Sequence, residues 1–108
     1  MEQKHLIIVD EQSQSATLDA IKNTLKNEGI DLVYKEINPA NFQKRVGYNT
    51  SFDKISFIEE LQNTPFLKKL DAFASDYNLI ENELNGLDVV KIFAKNVPSY
   101  HKKILLYS

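Results

Sequence analysis

Four apolar residues in a row, Leu6-Ile7-Ile8-Val9, give way at once to the acid pair Asp10-Glu11. So short and β-branched a run reads as a strand buried on both faces, the pattern of a parallel sheet covered by helices. Such a strand obliges the rest of the chain to supply those helices. Ser13 or Ser15 can cap a helix whose apolar positions Leu18, Ile21 and Leu25 fall at helical spacing, and Gly29 stands where a left-handed residue closes it. Residues 30–37 then alternate apolar and polar toward their end, as expected of a second strand at a half-exposed sheet edge, closed by Asn38-Pro39.

The alternation continues. Residues 40–56 are polar and rich in turn formers and read as an inserted loop with a short helix; Phe42, Val46, Tyr48 and Phe52 are its candidates for docking. Residues 57–70 suggest a helix, bent or restarted at Pro65. Ala72-Phe73-Ala74-Ser75 is a third strand. After a loop at Asp76, a helix opens at Gly86 with Leu87, Val90, Phe93 and Ala94 on one face and ends at Asn96-Val97-Pro98. Residues 103–108 make a fourth strand. Strands separated by helix-length segments predict an α/β fold with a doubly wound parallel sheet. With 108 residues this is one domain, 1–108, carrying an insertion around 40–56. A net charge of −2 gives no footprint for nucleic acid or anionic lipid, and no apolar run is long enough to cross a membrane. The expected location is cytoplasmic.

In doubly wound sheets the functional crevice lies at the carboxyl ends of the strands. Asp10 and Glu11 end the first strand, Asp76 the third and Ser108 the fourth, so all four are expected on one rim. Three carboxylates there would repel one another unless a cation or altered proton affinities intervened. Magnesium is the simplest cation, since it takes carboxylates, a carbonyl and waters. Without cysteine there is no thiolate site, and His5 and His101 stand outside any ligand spacing, as surface or strand-start residues. Tyr77, Tyr100 and Tyr107, near strand ends, read as packing.

Four segments in this order, LIIVDEQ, SDYNL, NGLDVVKIF and KILLYS, resemble the receiver domain of bacterial two-component response regulators. The 22 residues from Gly86 to Ser108 match that family's spacing between loop glycine and hydroxyl residue. The resemblance implies a flavodoxin-like, receiver-like sheet of order 2-1-3-4, without the family's fifth strand and last helices. It implies Asp76 as phosphoacceptor, with Mg2+ held by Asp10, Glu11, Asp76 and the Asn78 carbonyl. Asn78 would also tune dephosphorylation, and Ser108 would be the switch hydroxyl. The partner would be a histidine kinase or phosphotransfer protein, with no turnover chemistry beyond self-phosphorylation and autodephosphorylation. Three departures stand out: Ile80 where a proline is usual, a long segment ahead of SDYNL that predicts an added surface feature, and no counterpart of the family's phosphate-neutralising lysine. Exposure of the fourth strand as a sheet edge predicts a homodimer through that edge. The alternative function is therefore a degenerate, non-phosphorylated interaction or dimerisation module. A flavodoxin-like site for a small anion is disfavoured, because Asp10-Glu11-Gln12-Ser13 lacks glycine and carries acids where a phosphate would be repelled.

Overall fold

The computed structural model describes residues 2–80, 84–97 and 103–108. Strand β1 (Glu2–Val9) lies between β2 (Ile30–Ile37) and β5 (Ala72–Asp76), and β8 (Lys103–Tyr107) pairs with the far side of β5. All three pairings are parallel. The sheet reads β2-β1-β5-β8 along the chain numbering rather than 2-1-3-4. The numbering differs because two antiparallel pairs, in segments expected to be loop, interrupt the chain between sheet strands. These are β3 (Gln43–Val46) with β4 (Asn49–Phe52), and β6 (Asn78–Ile80) with β7 (Leu84–Asn85).

Helix α1 (Ser15–Asn27) covers one face of the sheet, where Leu18 packs with Ile8 and Ala74. Helices α2 (Lys54–Gln62) and α3 (Gly86–Asn96) cover the other, where Phe57, Leu61, Val89 and Phe93 close over Ile7, Val9 and Phe73. The two faces follow from chain direction. From β1 the chain steps one way to β2, then back across β1 to β5, so crossovers of constant hand put α1 and α2 on opposite sides. Phe73 stacks on Phe93 with centroids 4.0 Å apart, and the Phe57 ring meets Phe42 and Phe52 at 5.7 and 5.5 Å. The fully buried rings, Phe57, Phe73 and Phe93, each contribute on the order of 2–3 kcal/mol through area removed from water.

Several expectations need correcting. The segment 40–56 is a 3-10 turn (Pro39–Asn41) followed by the β3–β4 hairpin, whose tight loop uses Gly47 at φ 64°. Phe42 and Phe52 dock on the core, whereas Val46 and Tyr48 project into solvent. Helix α2 stops at Gln62 rather than bending at Pro65. Its start is fixed by Asp53, which accepts the Ser56 N–H and hydroxyl, and those bonds hold the Asp53 carboxyl below the usual carboxylate range. The buried face of α3 is Gly86, Val89, Ile92 and Phe93, while Leu87 and Ala94 are exposed. Those four fall at i, i+3, i+6 and i+7, so the stripe starts one residue earlier than the apolar pattern from Leu87 suggested. His5 is buried in β1 rather than at the surface, with Nδ1 3.6 Å from the Asp71 carboxylate and its ring against Phe66; His101 lies outside the described residues. Among the described residues no helix is long and apolar enough to cross a membrane.

Candidate functional site

The strand order reverses at β1, so the crevice expected of such a sheet opens where β1 and β5 end side by side. Asp10 follows β1 directly, its N–H still donating to the Ile37 carbonyl at the end of β2. Its side chain is only 9% exposed, and protein donors surround it. Oδ1 accepts the Gln12 N–H at 2.9 Å. Oδ2 accepts the Tyr107 hydroxyl at 2.8 Å and the Gln14 side-chain amide at 3.1 Å.

Tyr107 reaches Asp10 because parallel register sets it opposite Asp76 on the α1 face, one strand away from Asp10. Burial, then the hydrogen bond to Asp10 and the charges of Asp10, Asp76 and Glu36, push the Tyr107 phenol far above its ordinary value. The ring stays neutral and remains a donor. Glu36 of β2 completes the cluster: it accepts the Gln14 N–H at 2.6 Å and the Ser15 hydroxyl at 2.6 Å, anchoring the start of α1 where Gln14 makes no side-chain cap. Beside these side chains lies a cavity of about 220 Å³ lined by Asp10, Glu11, Glu36, Asn38 and Asn41.

The expected site residues fare differently. Asp10 and Asp76 share the rim at adjacent strand ends, as drawn from the sequence. Asp76 is half-buried at the last position of β5, and its Oδ1 accepts the Asn78 N–H at 3.2 Å, folding the carboxylate back on its own loop. Glu11 is exposed, its carbonyl taking the Asn38 amide at 3.2 Å. Asn78 is exposed in β6, and Ser108 is exposed just beyond β8. Among the described residues no three of the His, Asp and Glu side chains stand close enough to share a metal ion. The fit for magnesium at Asp10 is poor on the geometry itself. Three donors already occupy three of the roughly four lone-pair sites of the Asp10 carboxylate, so a divalent ion would find one position on Oδ1 and could take Oδ2 only by displacing the Tyr107 or Gln14 bond.

Sequence reasoning reads Tyr107 as packing and passes over Gln14 and Glu36. The period-2 rule held the signal for the tyrosine: Leu105 and Tyr107 share one face of the strand, Ile104 and Leu106 the other. Gly86, by contrast, was singled out, and its reason is steric. A Cβ there would collide with the Asp76 carbonyl, the Leu106 side chain and Tyr77 Cα. The missing side chain lets α3 start directly against the β5–β8 rim, where the Gly86 N–H donates to Tyr77 O at 2.8 Å. Comparison with protein-family models, with curated proteins and with solved structures returned no match for this chain.

Proposed function

We propose that the chain is a receiver-like, flavodoxin-like interaction module that associates with a second copy through β8 and transfers no phosphoryl group. What supports this reading above all is the edge. β8 ends the sheet with Ile104, Leu105 and Leu106 at 39%, 54% and 44% exposure, apolar on both faces. The strand is also self-complementary. Antiparallel pairing with its own copy about Leu105 would set Leu105 against Leu105, Ile104 against Leu106 and Lys103 against Tyr107, with apolar side chains meeting across the two-fold. At the rim, Tyr107, Gln14 and Gln12 take three of the roughly four lone-pair sites of Asp10, which favours a module that works without a metal-dependent reaction.

Size-exclusion chromatography with light scattering at tens of micromolar is the test. The native chain is expected to run as a dimer. Leu105→Lys, which places two ammonium groups opposite each other at an already exposed site, is expected to run as a folded monomer. A native chain that stays monomeric ends this reading.

A second reading has its own observation: Asp76 sits half-buried on the rim beside Asp10, as a phosphoacceptor would. Beryllofluoride with magnesium separates the two. The first reading expects unchanged amide shifts around Asp76 and Tyr107. A saturable response that disappears in Asp76→Ala would replace it with a phosphoacceptor.

A further inference from the structure

On the side of the sheet covered by α2 and α3, and lined by none of Asp10, Asp76 or the β8 residues, is a cavity of about 360 Å³. Its floor is apolar: Phe52 from β4, and Leu84 and Ile92, which are 5% and 8% exposed. Its rim is cationic. Lys54 comes from the first position of α2, and Lys91 and Lys95 stand one turn apart on α3. The acid among them, Asp88, is committed, its Oδ2 accepting the Asn85 N–H in the capping box of α3. None of the three lysines takes part in an ion pair among the described residues.

This local excess of cations sits on a chain whose net charge is −2, so it is not a consequence of overall composition. A concave apolar floor with a few convergent polar groups, at a volume inside the range of roughly 300–1,000 Å³ typical of ligand sites, is the pattern of a small-molecule pocket. The positive end of the α2 dipole adds to the field of Lys54. Two of the walls, Phe52 and Lys54, come from the inserted segment and the helix it leads into, which gives that segment a role besides covering Phe57.

We infer that this cavity binds a small organic anion with an apolar body, the aryl or alkyl part lying on Phe52, Leu84 and Ile92 and a carboxylate or phosphate meeting Lys54, Lys91 and Lys95. The inference is independent of the dimer and of Asp76. The probe is 4-phenylbutyrate, followed by amide shifts of the isotope-labelled chain, with 4-phenylbutyramide as the neutral control and inorganic phosphate as the anion without an apolar body. The expected result is a saturable shift at Leu84, Asp88 and Ile92 with phenylbutyrate, and binding weakened about tenfold or more with the amide. Lys91→Gln/Lys95→Gln, changed only at exposed positions and checked for an unaltered fold by circular dichroism, should lose affinity by a similar factor. No localised shift, or an amide that binds as well as the acid, overturns the inference. Phosphate shifting the same amides at the same concentrations would overturn it too, because the apolar floor would then play no part.

Discussion

Tyr107 shows how one side chain ties together parts of the chain far apart in sequence. Its hydroxyl crosses from β8 over the end of β5 to the buried Asp10, and a hydrogen bond to a carboxylate in that setting contributes about 1 kcal/mol or more net. Tyr107→Phe is therefore expected to lower unfolding free energy by about that amount in a urea titration. The pH dependence has a definite sign. Because the folded phenol titrates above its ordinary value of about 10, its contribution is complete below that value and fades as pH rises through the folded value. Native protein should lose this increment of stability above about pH 10 and Tyr107→Phe should not, which denaturant midpoints across that range would show. Gly86→Ala tests the other fixed point of the rim. The added Cβ meets backbone at Asp76 and Tyr77, which cannot swing away as a side-chain tip can, so a loss of about 1–3 kcal/mol is expected. Much of this was legible in the residues. The acid ending the first strand, the Asp after the third and the glycine opening the last helix all stand where the sequence put them. The partners of Asp10 were not legible, because they depend on which face β8 turns toward α1, and that is decided by pairing across the sheet.

The same division runs through the elements. Helix α3 announces its start in the chain, since Asn85 and Asp88 form a reciprocal cap at the right spacing, Asn85 Oδ1 accepting the Asp88 N–H at 2.9 Å. Helix α1 does not. Its start is Gln14, which makes no side-chain cap; Ser13 Oγ accepts the Ser15 N–H at 3.3 Å, and both serines also hydrogen-bond Glu36, twenty-odd positions away on β2. A tertiary cap leaves no local trace. Replacing Glu36 by Ala should cost about 1 kcal/mol, as loss of an ordinary cap does, and the loss should appear as faster amide exchange confined to the first turn of α1. Asn85→Ala should cost a similar amount at α3. The β3–β4 hairpin was illegible for a different reason: Gln43-Lys44-Arg45-Val46 is exposed throughout, so no apolar alternation marks it, and only Gly47 hints at the turn. The central strands β1 and β5 were readable because burial on both faces forces apolar runs; a surface hairpin has no such constraint.

For the whole molecule the question is how differently the two sheet edges are protected from pairing with another chain. β2 forms the opposite edge, and it carries Asp31, Lys35 and Glu36 along its length, with Asp31 3.8 Å from Lys22 and Lys35 2.6 Å from Glu60. Charge on an edge strand discourages pairing with another chain. β8 has no such protection between Lys103 and Ser108. The molecule is also extended for its length: its radius of gyration is 14.6 Å, against about 13 Å for a compact chain of this size. Covering the leucines of β8 is accordingly a sizeable gain for a small domain with a modest core. If two copies fold as one unit, their stability depends on concentration by mass action, because association favours the folded state alone. The thermal midpoint of the native chain should climb steadily over a hundredfold range of protein concentration, whereas that of Leu105→Lys should stay flat. The two should converge at the dilute end, since Leu105 is half exposed in the single copy and its replacement there removes little packing. A flat native curve would mean that the exposed leucines remain in water and that the edge is no interface between copies; a Leu105→Lys curve that climbs in parallel would place the contact elsewhere on the surface.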